Sequence, residues 1–329
     1  MAATELSALE FVVWVAAIVG LAGLPAVLST FSLVQLTVFL IFCLLAISLD
    51  LAWGLAGLLS FGQAAFFGIG GYTYAICGIN DLPTWCALAA SIMAGAATAS
   101  VIGYATFYGR VSAMFFAVMT LTVTLILLQV IGSTADPRHH IGAAALGGYN
   151  GMTNIPSLAV GLTEAPPLGP AGFFWVVGGL LVGILILGRM LMCSSFGRVL
   201  VTIRENEQRT ELLGYDVRWR KLAIFSLSGG VAGLAGGLFA SWGNFVNPEM
   251  FSLTQSVQVV IWVLVGGRGS LYGAALGALL VQAMTQYLGE FGTAYTTLAL
   301  GVVLVVFVLI LREGLLPTIG RGVGRLAWR

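Results

Sequence analysis

Residues able to do chemistry are scarce in this sequence, and the clearest cluster is His139 and His140 beside Asp136. Such a trio could bind a metal or move a proton. Neighbouring residues on a helix project about 100° apart, however, and a zinc site needs three or four converging ligands. No further ligand follows at a useful spacing, so no metal site is assigned and a solvated loop is expected. The four cysteines, Cys43, Cys77, Cys86 and Cys193, form no CxxC pair. Cys77 and Cys86 flank a short loop and could pair across it if it faces an oxidising compartment. The preferred reading is small apolar residues in packed helices. The chain lacks a phosphate-cradling GxxxxGK[ST] loop and therefore a nucleotide site of its own. No catalytic residue is assigned.

Charge is concentrated in residues 193–221, which carry Arg198, Arg204, Arg209, Arg218, Arg220 and Lys221, six of the 14 basic residues. Glu205, Glu207, Glu211 and Asp216 lie among them. A helix-prone polar stretch between long apolar runs must lie in water, and its basic excess places it on the cytoplasmic side. It suits a docking surface for a soluble partner.

The elements around this stretch are apolar. Of 329 residues, 59% are hydrophobic and 8% charged, and the mean hydropathy is +1.01. A soluble domain is about 25% charged, so the chain is a polytopic integral membrane protein with no room for a soluble catalytic domain. Long apolar runs in lipid must be helical to satisfy their backbone groups, which makes the fold class all-α. At roughly 20 residues per span, about ten spans are expected. They fall near 11–28, 32–51, 58–78, 84–107, 111–131, 171–192, 222–243, 253–266, 271–288 and 295–311. The whole chain, 1–329, reads as one transmembrane domain. It has an outer loop at 133–170, the cytoplasmic loop at 193–221 and a cytoplasmic tail at 312–329.

With ten spans both termini lie inside, and the tail brings Arg312, Arg321, Arg325 and Arg329 to that side. Arg110 and Arg268 fall on inner turns, and Arg138 lies in the outer loop. The N-terminus does not read as a secretory signal, because Glu5 and Glu10 precede the first basic residue, Arg110. A net charge of +1 says nothing about nucleic acid, and there is no basic run to bind it, so no nucleic-acid partner is expected.

Two glycine-rich stretches interrupt the helical pattern, Trp53–Gly71 and Gly266–Gly277. Interrupted apolar segments in corresponding halves point to a transport path and to two structural repeats. Ser60 and Gln63 lie in the first break and are candidates to line a path. Rows of small residues, Gly229, Gly233 and Gly237 and then Gly269, Gly273 and Gly277, suit close helix contacts. Ionisable residues inside a membrane are costly and usually functional. Asp50 is expected near the inner surface, where water can reach it, with Glu249 and Glu290 at outer ends. The mid-membrane polar groups, among them Gln35, Gln129, Gln255, Gln258 and Gln282, are neutral. That argues against a proton relay and against a charged-ring channel. Uphill transport would then need ATP hydrolysed by a separate subunit, with residues 193–221 as the place where it acts.

Three motifs carry a family resemblance. LDLAWGLAGLLSFGQAAFFGIGGYTYA spans Leu49–Ala75, GGYNGMTNIP spans Gly147–Pro156, and FGRVLVTIRENEQRTELLGYDVRWRKLAIFSLSGGVAGLAGGLFA spans Phe196–Ala240. With the later GGRGSLYGAALGALL, these resemble the M-type permease subunit of branched-chain (hydrophobic) amino acid ABC importers. The superfamily includes urea and short-amide permeases. The resemblance implies a non-catalytic bacterial inner-membrane subunit that forms one path with a homologous second permease. Two cytoplasmic ATPases holding ATP and Mg would drive it, and a periplasmic binding protein would deliver the solute. It implies a pathway near Ser60, Gly62, Gln63, Phe66 and Phe67. It also implies a coupling loop acting through Arg198, Arg204, Glu205, Asn206, Glu207 and Gly214, with Gly214 as a left-handed helix stop.

The sequence departs from the family pattern at Gln208–Glu211, where small residues are common, and at Gln63, where many members carry His. Readings from other classes are an ion-coupled carrier or channel and an intramembrane lipid-modifying enzyme. The first lacks a mid-membrane acid, and the second has only His139, His140 and Asp136 to work with.

Overall fold

The computed structural model describes residues 23–136, 138–159 and 166–289, with residues 20 and 301. In chain order these form α1 (Thr30–Ala56), α2 (Gln63–Ile79), α3 (Thr84–Tyr108) and α4 (Ala113–Gly132). A short antiparallel ribbon follows, β1 (His140–Ile141) and β2 (Ala144–Ala145). Then come α5 (Pro170–Cys193), α6 (Ser195–Glu205), α7 (Glu207–Leu212), α8 (Val217–Gly243), α9 (Leu253–Gly266) and α10 (Leu271–Gly289).

Short polar residues start these helices by taking up otherwise orphaned N–H groups. Ser29 accepts from Ser32 N before α1, Asp216 from Trp219 N before α8, and Ser252 from Gln255 N before α9. Gly57 ends α1 at φ 75°, and its N–H points back to Ala52 O and Trp53 O. That left-handed turn is cheap only for glycine.

Helix α8 is the centre of the bundle and packs most extensively against α3, α2 and α1. Its glycines explain why. A side chain at Gly233 would strike the backbone of Ser91 and Gly95 on α3, and one at Gly229 would meet Gly95 O at 2.7 Å. Close backbone approach of this kind is what small residues permit between apolar helices. The later row works in the same way, with Gly273 of α10 packed on the backbone of Gly266 at the end of α9. Both rows therefore join helices within this subunit.

The expected count of ten spans is not matched among the described residues. Helices α1, α3, α4, α5 and α8 are long and apolar enough to cross a membrane. The pair α9 and α10, bent by 117°, adds a sixth if it is one broken span. Helix α2 has 17 residues and α9 has 14, both short of the about 20 that a span requires. The expected spans 11–28 and 295–311 fall mostly outside the described residues, as does the tail at 312–329.

The loop after α4 is more than solvated chain. Asn80 Oδ1 accepts from Ala143 N at 2.8 Å and its Nδ2 donates to Ile141 O, which fixes the ribbon to the end of α2. Tyr74 donates to Pro156 O, Trp85 to Ala159 O, and Asn244 to Ile155 O. Met152 pairs with Val246, while Met152, Ile155 and Leu158 are buried. The NGMTNIP stretch is thus strapped across the ends of α2, α3 and α8. Among the described residues no three His, Cys, Asp or Glu side chains come together to hold a metal, His139, His140 and Asp136 included, and all four cysteines are free thiols.

Candidate functional site

The two glycine-rich stretches break where the sequence places them, and the breaks meet. The first leaves helix at Gly57 and re-enters it at Gln63, and the second separates α9 from α10 at 267–270. At the junction a side chain on Gly54 would lie 2.8 Å from the Cα of Gly269, so the chain segments touch backbone to backbone. Asp50, one turn before Gly54 on α1, accepts a hydrogen bond from Gly269 N at 2.7 Å.

Asp50 is only 1% exposed, which corrects the expectation that water reaches it. A buried carboxylate is costly unless it is hydrogen-bonded or near opposite charge. Here the compensation is the Gly269 amide and the guanidinium groups of Arg268 and Arg204, both within electrostatic reach. Arg268 rests over the Trp53 ring, 5.3 Å from its centroid. The second carboxylate oxygen of Asp50, Oδ2, has no hydrogen-bond partner among the described residues.

The charged stretch supplies the third side of this junction. Ser194 caps α6 through Gly197 N, and Val199, Leu200 and Ile203 turn inward while the charged residues face out. This amphipathic spacing lays α6 on the bundle, where it touches α1, α5 and α8. From its last turn Arg204 donates through Nη1 to Gly54 O at 2.6 Å, and Glu205 holds the same guanidinium at 3.0 Å. Asn206 then ends α6 and caps α7, accepting from Arg209 N at 2.9 Å. Gly214 follows α7 at φ 86°, a left-handed stop as its type suggests. Glu207 pairs with Lys221 at the start of α8, and Arg198 donates to Cys193 O at the end of α5. Of the six residues assigned to the charged loop, Arg198, Arg204 and Glu207 tie it to the bundle, Glu205 and Asn206 bond within the loop, and Gly214 turns the chain. Apolar side chains also face outward there, notably Leu212 at 88% and Leu213 at 73% exposed, together with Trp219.

The five residues around the first break are all buried within the subunit. Ser60 Oγ accepts from Gly62 N at 3.0 Å, and a side chain on Gly62 would meet Thr120 Cβ at 3.2 Å. Gln63 ties three helices. Ser48 Oγ of α1 lies 3.0 Å from Gln63 Oε1, Gln63 Nε2 donates to Ser228 Oγ of α8, and Ser228 donates to Ser48 O. Phe66 packs edge-on against Phe225, and Phe67 lies beside Phe42 and Phe239. These side chains meet one another's helices and do not converge on one open face.

Sequence reasoning placed Asp50 in reach of water and did not single out Gly54 or the tip formed by Leu212 and Leu213. The signal for the tip was an apolar pair inside a charged stretch. For Asp50 it was an acid one turn ahead of a glycine break.

Comparison with known proteins fits this architecture. Residues 31–311 match the family described as "Branched-chain amino acid transport system / permease component". The chain is 29% identical over 301 residues to the high-affinity branched-chain amino acid transport system permease protein LivM of Escherichia coli K12, covering 85% of this chain and 69% of the relative. It is 28% identical to LivM of Salmonella typhimurium, covering 89% and 72%. The ribose import permease protein RbsC of Escherichia coli K12 is 27% identical, covering 68% of each chain. No solved structure matches. The chain belongs to the branched-chain amino acid transport system permease family of multi-pass ABC transporter membrane proteins.

Proposed function

We propose that this protein is the membrane-spanning permease of an ATP-driven importer of branched-chain or other hydrophobic amino acids, and that residues 193–221 couple it to cytoplasmic ATPases. The observation that carries the coupling role is the Arg204 contact. The charged loop inserts one guanidinium between the ends of the two broken helix pairs, bonding Gly54 O directly. A push on α6 or α7 would reach both breaks at once.

The apolar tip at Leu212 and Leu213 supports docking, because adjacent large apolar side chains beside charged chain gain free energy when a partner covers them. In this scheme the α6–α7 end is cytoplasmic and both termini lie on that side. The subunit has no catalytic role. A homologous second permease completes the path, two ATPases bind ATP and Mg, and a binding protein presents solute to the strapped outer loop. The breaks at 57–62 and 267–270 act as corresponding points of two structural repeats. Ser60, Gly62, Gln63, Phe66 and Phe67 set the shape of the first break, and Gln63 fixes it to α1 and α8.

The amino acid reading is preferred to a sugar or short-amide one because of the LivM relatives and the family description. Gentle-detergent purification from native membranes with mass analysis tests the assembly. A second permease and two nucleotide-binding proteins should co-purify. Solutes presented by the binding protein are then compared as stimulators of ATP hydrolysis. Stimulation by leucine and valine is expected, and stimulation by ribose or urea alone would replace the substrate assignment.

A further inference from the structure

A cleft of about 320 Å³ opens at the α6–α7 end, between the α3–α4 turn and the start of α8. That size is at the lower end of the roughly 300–1,000 Å³ usual for small-molecule sites. Its rim carries Arg110, Arg218, Lys221, Glu207 and Glu211. Lys221 and Glu207 are already paired with each other. Among the described residues neither Arg110 nor Arg218 makes an ion pair, and neither does Glu211.

Arg110 sits at φ 53°, just past the end of α3, a left-handed position where glycine is common. A non-glycine residue held there is strained, and such strain clusters at ligand clamps and switch regions. The floor beneath the rim is apolar, formed by Leu58, Phe107, Phe116 and Val217, all buried. Leu58 belongs to the first helix break. Phe107 and Phe116 meet Phe225 edge to face, and Phe225 in turn meets Phe66. The floor is thus in contact with the break through an unbroken aromatic chain.

Two free guanidinium groups, one free carboxylate and an apolar floor match one class of ligand, a zwitterionic amino acid with an aliphatic side chain. We infer that this cleft binds such an amino acid from the cytoplasmic side, as a release or feedback site next to the coupling loop. Arg110 and Arg218 take the α-carboxylate, Glu211 takes the α-ammonium, and the side chain lies on Phe107, Phe116 and Val217. The inference rests on the substrate and orientation proposed above and adds a second, inward-facing site for that substrate.

The test is equilibrium binding of labelled leucine to the complete assembly of permeases and ATPases in lipid nanodiscs, without the binding protein or nucleotide. Saturable binding is expected, competed poorly by leucinamide, which lacks the carboxylate. Arg110→Gln and Arg218→Gln should each weaken binding by about tenfold, the usual scale for losing a charge-assisted hydrogen bond. Glu211→Gln should weaken leucine but not 4-methylpentanoate, which has no ammonium group. Size-exclusion profiles of each variant separate these effects from failed assembly. Absence of saturable binding, or unchanged binding in the Arg110→Gln/Arg218→Gln double variant, would overturn the site. Leucine uptake driven by the binding protein is measured on the same preparations. Uptake without cleft binding removes only the cleft, whereas no leucine uptake alongside uptake of another solute removes the substrate assignment.

Discussion

Asp50 and Gly269 stand 219 positions apart, yet the Asp50 carboxylate accepts the Gly269 amide hydrogen at 2.7 Å. This bond fastens the end of α1 to the break between α9 and α10, at the same point where Arg204 reaches Gly54. Removing the acceptor leaves a buried N–H unsatisfied, at a cost of about 1–3 kcal/mol. Asp50→Ala should lower the thermal stability of the purified protein by that scale, followed as loss of monodispersity on heating. Asp50→Asn keeps an acceptor oxygen and should lose less. Equal stability of Asp50→Ala and the natural protein would show that the bond does not hold the break.

The glycine row on α8 makes a sharper prediction. A side chain on Gly95 would meet Gly233 Cα at 3.0 Å and its N at 3.2 Å, and backbone atoms cannot swing away. Gly95→Val should therefore force α3 and α8 apart, costing about 1–3 kcal/mol or more. Gly179 on α5 has nothing within 4 Å of the same position. Gly179→Ala should be neutral. Fluorescence-detected size exclusion of the two variants, expressed side by side, reads the difference.

The helices were largely legible in the sequence, because an apolar run in lipid has no other way to satisfy its backbone. Both breaks were legible too, at Gly57–Gly62 and Gly267–Ser270, from their glycines. The span count was not. An apolar run of 14 residues such as α9 looks like a span until its length is set against the membrane. The loop after α4 was under-read, since its straps to Asn80, Tyr74 and Trp85 link residues far apart in sequence. The charged loop showed its helices and its Gly214 stop. That Arg204 would point inward to Gly54 depended on tertiary contacts that no local pattern encodes.

Gln63 was singled out as a pathway candidate, and its amide is engaged at both ends by Ser48 and Ser228. Gln63→Leu should lower stability by about 1–3 kcal/mol through stranded polar partners. Gln63→His can still bond one of them and should lose less. Thermal unfolding and solute uptake are to be measured together on each variant. Loss of uptake with unchanged stability would instead place Gln63 in contact with the solute.

Gly62 begins α2 against Ser60 Oγ and Thr120 Cβ, each 3.2 Å from where a side chain would start. Gly62→Ala should be tolerated with a small shift of Thr120, while Gly62→Leu should block transport or prevent folding. Uptake at the natural level by a well-folded Gly62→Leu protein would remove the first break from the transport cycle.

We propose that Arg204 and its loop transmit ATP hydrolysis to the helix breaks. The most direct measurement is solute uptake and ATP hydrolysis in the reconstituted assembly carrying the double charge reversal Arg204→Glu with Glu205→Arg. The swap keeps the pair's charges but removes the guanidinium that reaches Gly54 O. The double variant should assemble and still hydrolyse ATP while uptake falls at least about tenfold, the effect of losing one charge-assisted bond at the point of transmission. Uptake at the natural level, in proportion to hydrolysis, would contradict it.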